Sequence, residues 1–148
     1  MSGEPVVIII LNCFNGAKYL KEALDSIYGQ TYDNWEIIFW DNGSIDKSSS
    51  IANSYDGRVK YFFAKNTTLL GEARCLALRE ASGDYIAFLD CDDIYLPDKI
   101  QIQMAAMQEV NAVCSYGGWI KIDSNGNELA KYIMPDKYGD EFESLLSK

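Results

Sequence analysis

The chain has 148 residues, 48% of them hydrophobic, a length and composition typical of one folded domain rather than of a disordered segment. Its net charge of -9 disfavours nucleic acid as a partner, because phosphate contacts need clustered Lys and Arg, although a nucleotide can still be held through a cation. Histidine is absent, which excludes histidine general bases, Ser-His and Cys-His nucleophile pairs, and histidine-containing zinc sites.

Apolar runs alternate with helical patterns along the chain. Unbroken apolar or β-branched runs predict strands at Pro5–Leu11, Trp35–Trp40, Arg58–Phe63, Tyr85–Leu89 and Ala112–Ile122. Apolar residues at helical spacing predict helices at Lys18–Tyr28, from Ser44 or Asp46 to about Tyr55, at Leu69–Ala81, from Pro97 to about Val110, and near Asp140. Asn125-Gly126 predicts a hairpin turn towards a strand at Glu128–Ile133.

This alternation predicts a single α/β domain over residues 1–148, with a mostly parallel sheet and helices on both faces. Three polar segments follow predicted strands directly: Asn12–Gly16, Asp41–Ser44 and Asp90–Asp93. The carboxyl ends of parallel strands meet at one edge of a sheet, which is where open α/β sheets bind ligands. We therefore expect one ligand site built from these three loops.

The cysteines and the first residues both favour a cytoplasmic protein. The four cysteines lie far apart without a C-x-x-C pair, so we interpret them as reduced core thiols rather than as zinc ligands. Met1 to Pro5 lacks the basic region of a signal peptide, and no stretch reaches the ~20 apolar residues of a membrane span. We expect a cytoplasmic domain, and peripheral association with the inner face of the membrane stays open.

The acidic segment after the fourth predicted strand is the strongest chemical signal. Asp90, Asp92 and Asp93 follow an apolar run, where closely spaced carboxylates repel each other unless a divalent cation lies among them. Alternate residues of an extended segment point the same way, so we expect Asp90 and Asp92 to face one Mn²⁺ or Mg²⁺ ion and Asp93 to point elsewhere. The alternative is a solvated acidic turn in which Asp93 caps the next helix.

Three further side chains have both a ligand-binding and a structural interpretation. Asp41 could accept a hydrogen bond from a base or a ribose, or it could close an Asx turn. Arg74 could bind a diphosphate, although pairing with Glu72 or Glu80 on a helix surface is favoured by its sequence neighbours alone. Phe14 could stack on a base, but a packing role is commoner for an aromatic residue.

Three motifs in order resemble the inverting family 2 glycosyltransferases. The segment VVIIILNCFNGAKYLKEALDSIYGQTYDNWEII resembles the opening strand, Y-N loop and helix of that family. FWDNGSID resembles its V-D-D-G-S-x-D turn, and GEARCLALREASGDYIAFLDCDD resembles its G-x-A-R-N … G-x-Y-I-x-F-L-D-x-D-D stretch. The resemblance runs from about Pro5 to Gly118 and implies a Rossmann-like GT-A fold that ends before the acceptor half.

The resemblance also implies roles for individual residues. Phe14 matches the aromatic residue that packs on the base, and Asn12 lies in the same loop. Asp41 matches the aspartate that bonds the base or ribose, and Arg74 matches the arginine near the base and the diphosphate. Asp92 matches the D-x-D carboxylate that binds the metal, and Asp90 its partner near the ribose and the metal. A nucleoside diphosphate sugar, most commonly of UDP, would be the donor, and a glycan or lipid-linked molecule the acceptor.

The chain departs from the family pattern at three positions and lacks one group. Asn12 replaces the usual proline, Asn42 the second aspartate of D-D-G-S, and Cys75 the asparagine after the arginine. Inverting transfer needs a base that deprotonates the acceptor hydroxyl, and in the family this aspartate lies downstream of the region covered here. We therefore expect no catalytic base within this chain and interpret it as the donor-binding part of a longer enzyme.

Two other functions remain as alternatives. A phosphohydrolase of the haloacid dehalogenase type also has D-x-D after an apolar strand, with the first aspartate as the nucleophile, here Asp90. That motif usually ends the first strand, whereas three predicted strands come before it in this chain. The other alternative is a non-catalytic nucleotide-binding module.

Overall fold

The computed structural model describes residues 4–132. Strands and helices alternate along the chain until the last two elements, which are both strands, as predicted. In chain order they are β1 (Val7–Cys13), α1 (Leu20–Tyr28), β2 (Trp35–Asp41), α2 (Ser48–Ala52), β3 (Val59–Phe63), α3 (Leu70–Arg79), β4 (Tyr85–Asp90), α4 (Lys99–Val110), β5 (Trp119–Ile122) and β6 (Glu128–Tyr132).

The first four strands form a parallel sheet in the order β3-β2-β1-β4. The central strand β1 is buried along its whole length, as expected for an apolar strand that has neighbours on both sides and helices on both faces. Ala77 of α3 packs with Ile8, Ile10 and Ile38 on one face. On the opposite face the Cys13 Sγ contacts the Ser48 hydroxyl at the start of α2. The predicted parallel α/β sheet is therefore confirmed.

The chain divides into two compact units, Met1–Met104 and Ala105–Lys148. In the second unit β5 and β6 pair as an antiparallel hairpin, with Trp119 stacked on Tyr132 at 6.0 Å. The Asp123 carboxylate accepts hydrogen bonds from the backbone of Asn125 and Asn127, which holds the predicted Asn-Gly turn. The first unit contains every residue proposed for the ligand site.

Several predicted elements have other bounds in the structure; β1, for example, covers Val7–Cys13 rather than Pro5–Leu11. The strand predicted at Ala112–Ile122 is wrong before Trp119, where Gly117 and Gly118 interrupt the apolar pattern and weaken any strand. The second helix covers only Ser48–Ala52, so its predicted length is wrong. Helix α4 begins at Lys99 rather than Pro97. The strand end at Ile133 and the helix near Asp140 lie outside the described residues.

The interpretation of the cysteines as core thiols is only partly correct. All four are free thiols, and Cys13 is buried and Cys91 half-buried, whereas Cys75 and Cys114 are exposed. Cys75 lies on the solvent side of α3, whereas Ala73 and Ala77 on the opposite side of the helix are buried. An apolar sequence context therefore did not distinguish a core thiol from a surface one.

Candidate functional site

The loop after β1 is tied to the loop after β2 by three hydrogen bonds. The Asn15 N–H donates to the Ser44 Oγ at 2.9 Å, and the Ile45 N–H donates to the Asn15 Oδ1 at 2.9 Å. The Ala17 N–H donates to the Asp46 Oδ2 at 2.9 Å. Asn15 has a φ of 52°, a left-handed conformation that asparagine tolerates better than most residues. These bonds fix the loop that carries Phe14, whose side chain is 53% exposed at the sheet edge.

Asp41 is fully buried and both of its carboxylate oxygens are bonded. The Ser44 N–H donates to Oδ1 at 2.7 Å, which closes an Asx turn, and the Tyr61 hydroxyl donates to Oδ2 at 2.7 Å. Burial together with the Asp41 carboxylate raises the pKa of Tyr61, so this hydroxyl stays a donor. The structural interpretation of Asp41 is therefore realised, and a base or ribose would have to share an oxygen that is already bonded.

Asn42 anchors the loop between β3 and α3. Its Nδ2 donates to the Thr68 carbonyl at 2.8 Å, and its Oδ1 accepts from the Thr68 N–H at 3.2 Å. An aspartate, which the family has at this position, could accept from the Thr68 N–H but could not donate to the carbonyl. The departure from the family pattern is therefore matched by a specific backbone contact.

Arg74 pairs with Asp90, not with Glu72 or Glu80 as its sequence neighbours favoured. The Arg74 Nη2 donates to the Asp90 Oδ1 at 2.7 Å, with the two side chains 35% and 41% exposed. The guanidinium also lies 5.7 Å from the centroid of the Phe88 ring. Sixteen positions separate Arg74 from Asp90, and only the crossover from α3 to β4 brings them together, so a helix-local argument could not find the pair.

The acidic turn after β4 is held in place on both sides. The Asp93 N–H donates to the Asp90 carbonyl at 3.0 Å, and the Tyr95 hydroxyl donates to the Phe88 carbonyl at 2.7 Å. Burial and then the neighbouring carboxylates of Asp92 and Asp90 raise the pKa of Asp93. The start of α4 is bonded by Gln30, whose Oε1 accepts from the Ile100 N–H at 3.1 Å, rather than capped by Asp93.

A cleft of about 360 Å³ opens at the carboxyl edge of β1 and β4. Four of the six predicted site residues line it: Asn12, Phe14, Asp90 and Asp92. Arg74 and Asp41 are not part of the lining, although Arg74 contacts it through Asp90. Three further lining residues, Cys13, Asn42 and Cys91, lie in the loops predicted to build the site, whereas Thr67, Thr68, Leu70 and Ala73 lie outside those loops and were not predicted. No sequence signal marked Thr68, which is held beside the cleft by its hydrogen bonds with Asn42.

Two buried donors at this site have no hydrogen-bond partner within residues 4–132. They are the Asn12 Nδ2, on a side chain that is 6% exposed and lines the cleft, and the Nε of Arg74, the residue that bonds Asp90. Buried polar atoms are usually paired, so unpaired donors beside a cleft call for an acceptor from outside the chain. A phosphate or a ribose has such acceptors.

The acids at the cleft fit a divalent cation that a ligand helps to hold. Asp90 and Asp92 both line the cleft, whereas Asp93 does not. Among the residues that the structure describes, no group of three or more acidic or cysteine side chains could hold an ion alone. Mg²⁺-like ions are typically bound by one or two carboxylates and completed by substrate phosphates and water. The residues present therefore suit Mn²⁺ or Mg²⁺ shared with a diphosphate.

Comparisons with known proteins agree on one family. Residues 6–146 match the family model of glycosyl transferase family 2. The Escherichia coli protein UDP-Glc:alpha-D-GlcNAc-diphosphoundecaprenol beta-1,3-glucosyltransferase WfgD is 32% identical over 133 residues, covering 89% of this chain and 52% of its own. Some other curated relatives are longer, and the chain spans 22% of a Rickettsia felis relative that is 38% identical.

Solved structures show the same fold. Staphylococcus aureus TarS 1–349 in complex with UDP-GlcNAc aligns with a TM-score of 0.67 and 25% identity, over 70% of this chain and 31% of that one. The mannosyltransferase PcManGT from Pyrobaculum calidifontis, in complex with GDP-Man and Mn²⁺, aligns with a TM-score of 0.64 and 22% identity, over 79% of this chain and 35% of that one. The predicted GT-A architecture is thereby confirmed. None of the helices within residues 4–132 has the length and hydropathy needed to cross a membrane.

Proposed function

This chain belongs to glycosyl transferase family 2, and we propose that it forms the part of a glycosyltransferase that binds a nucleoside diphosphate sugar together with Mn²⁺ or Mg²⁺. The enzyme would transfer the sugar, with inversion, to a glycan or lipid-linked acceptor. One observation carries the proposal. A single cleft at the carboxyl edge of the sheet joins the two acids Asp90 and Asp92 to the exposed ring of Phe14.

Each part of the cleft suits one part of such a donor. Phe14 offers an exposed aromatic face on which a base can stack, and such stacking is favourable whichever base is bound. The Asn12 Nδ2 is an unpaired donor for a ribose or phosphate oxygen. Asp90 and Asp92 would hold the cation, with Arg74 fixing the position of Asp90. When bound, the cation neutralises the charge that develops on the leaving diphosphate.

UDP is the nucleotide that we propose. The glucosyltransferase from Escherichia coli, 32% identical, is named for UDP-Glc, and TarS was solved with UDP-GlcNAc. The name of the Escherichia coli relative also contains a diphosphoundecaprenol acceptor, which supports a lipid-linked acceptor and peripheral association with a membrane. The chain spans 52% of the length of this relative, so binding of the nucleotide sugar rather than turnover is the property to test.

The comparisons favour neither alternative function. In a haloacid dehalogenase type of phosphohydrolase Asp90 would be the nucleophile, yet one of its oxygens is bonded to Arg74. A module that only binds nucleotides would have the same cleft as a glycosyltransferase. An assay of sugar transfer with a protein that also contains the acceptor half distinguishes these two functions.

Isothermal titration tests the proposal. UDP should bind in the presence of Mn²⁺ and bind at least tenfold more weakly after chelation with EDTA, because the acids repel the diphosphate without the cation. UDP, GDP and dTDP should be compared under the same conditions, and uridine should bind more weakly than UDP since it lacks the diphosphate. Equal binding with and without Mn²⁺ would contradict the metal-dependent site.

A further inference from the structure

Cys13 and Cys91 lie side by side at the base of the cleft. The parallel register of β1 and β4 pairs Asn12 with Asp90, and each cysteine is the next residue along the chain, Cys13 at the end of β1 and Cys91 in the turn directly after β4. Neighbouring strands lie about 4.8 Å apart, which is within the Cα separation that a disulfide spans. Both cysteines line the cleft, Cys91 half-buried and Cys13 only 2% exposed. Their backbone positions are therefore compatible with a covalent link.

The sulfur atoms of Cys13 and Cys91 both lie next to Gly16. A Cβ added at Gly16 would lie 2.5 Å from the Cys91 Sγ and 2.8 Å from the Cys13 Sγ. Real Cβ atoms do not approach sulfur so closely, so the missing side chain of Gly16 leaves the space that both sulfurs occupy. The other neighbour of Cys13 is the Ser48 Oγ at 3.4 Å, which also accepts from the Gly16 N–H at 3.2 Å.

We propose that Cys13 and Cys91 are a redox modification site and form a reversible disulfide when a small-molecule disulfide enters the cleft. Cys91 is the more accessible thiol and reacts first: its sulfur attacks the small disulfide, one thiol leaves with the proton of Cys91, and a mixed disulfide remains. The Cys13 sulfur then attacks the Cys91 Sγ, and the second small thiol leaves with the proton of Cys13. Two cysteine thiols are oxidised by two electrons and one disulfide is reduced to two thiols.

The surroundings of Cys13 support its role as the attacking sulfur in the second step. The Ser48 hydroxyl lies 3.4 Å from the Cys13 Sγ and stays beside it after Cys91 has reacted, so a hydroxyl is available to donate to the Cys13 thiolate. The new bond would join the end of β1 to the turn that carries Asp92 and would reshape the cleft wall. The disulfide itself does not depend on the proposed function, whereas an effect of oxidation on the binding of a nucleotide sugar does.

Thiol mapping of the chain without any substitution tests whether the disulfide forms. The chain is equilibrated with mixtures of reduced and oxidised glutathione, quenched in acid and alkylated, and its peptides are identified by mass spectrometry. We expect a Cys13–Cys91 cross-link that dithiothreitol reverses. The exposed Cys75 and Cys114 serve as internal controls and should carry glutathione at most. Because the pair is not mutated in this experiment, the fold is not at risk.

Two single variants resolve the order of the steps. Cys13→Ser should trap glutathione on Cys91, because no second thiol displaces it, whereas Cys91→Ser should leave the buried Cys13 unmodified. Two results in the chain without substitutions would overturn the proposal. One is glutathione retained on Cys91, and the other is that Cys13 and Cys91 both stay free while Cys75 is modified.

Discussion

Arg74 donates a hydrogen bond from Nη2 to the Asp90 Oδ1 across 2.7 Å, which joins α3 to the carboxyl end of β4. The pair is partly exposed, so water screens it and its contribution to the free energy of unfolding is about 1 kcal/mol or less. Because Asp90 belongs to the proposed cation site, we expect the pair to contribute more to ligand binding than to stability. The guanidinium bonds one carboxylate oxygen of Asp90, a residue that lines the cleft.

Replacing Arg74 should separate cation binding from nucleotide binding. In Arg74→Met, Mn²⁺ alone should bind as well as before or more tightly, because a positive charge next to Asp90 is removed. UDP with Mn²⁺ should bind on the order of tenfold more weakly, since the positive charge that attracts the diphosphate is removed together with the bond that holds Asp90. Isothermal titration of each ligand measures both effects. Arg79→Met, on the same helix, is the matched control and should change neither; a parallel loss of Mn²⁺ and UDP in Arg74→Met would contradict this role.

Asn42→Asp tests why this chain departs from the family pattern. The variant keeps an acceptor for the Thr68 N–H but places a carboxylate oxygen against the Thr68 carbonyl, where Nδ2 now donates at 2.8 Å. We expect the free energy of unfolding to fall by about 1–3 kcal/mol, the usual effect of an unpaired buried group. Urea denaturation measures this, and hydrogen exchange at Thr68 should accelerate. Asn66→Asp, on the exposed part of the same loop, should have little effect; equal effects of the two variants would count against the anchor.

Gly16→Ala tests the space around the two thiols. The new Cβ would have to displace both sulfurs, so we expect a loss of about 1–3 kcal/mol in the free energy of unfolding. The loss should shrink in a Cys91→Ala background, because one of the two clashing atoms is then absent. Gly57→Ala is the control, since nothing lies within 4 Å of the Cβ it would add. If Gly16→Ala is as mild as Gly57→Ala in urea denaturation, the sulfurs do not occupy this space.

Tyr28 should make the protein less stable at alkaline pH. Burial, and then the Asp56 carboxylate that accepts its hydroxyl hydrogen, raise the pKa of Tyr28 from 10.0 to about 12. Between these values the unfolded chain loses the tyrosine proton and the folded chain keeps it, so the free energy of unfolding falls as the pH rises from 10 to 12. Below pH 10 the contribution is fully present.

The comparison of the parent with Tyr28→Phe isolates this contribution from the other groups that titrate at high pH. Urea denaturation across the same range should give a smaller fall for Tyr28→Phe. Tyr19→Phe serves as the control tyrosine and should follow the parent. Identical pH profiles for the parent and Tyr28→Phe would contradict the raised pKa.

The position of the site was predictable because it depends on strand direction alone. Three apolar runs, each followed by a polar loop, are sufficient to place Asn12, Asp41 and Asp90 at one edge of a parallel sheet, and β1, β2 and β4 confirm that placement. Burial of the central strands also follows from the composition of the runs. These features need no knowledge of which residues meet across the chain.

The remaining details depend on contacts between distant residues. The role of Asp41 was open because Tyr61, which bonds its second oxygen, lies on β3. The partner of Arg74 and the bond from Gln30 to the start of α4 likewise come from separate elements. The strand predicted at Ala112–Ile122 ran through Gly117 and Gly118 because the sequence does not reveal where pairing with the neighbouring strand begins. Local pattern predicted the elements, and tertiary contacts decided the roles.

The most direct test of the central claim is a crystal structure of this chain soaked with UDP and MnCl₂, with anomalous data collected at the manganese edge. We expect the manganese peak within coordinating distance of the Asp92 carboxylate, shared with the diphosphate, and the uracil against Phe14. Asp92→Asn should abolish the peak, while Asp33→Asn, at an exposed position away from the cleft, should retain it. A manganese peak elsewhere, or UDP bound in the cleft of Asp92→Asn as in the parent, would contradict the account.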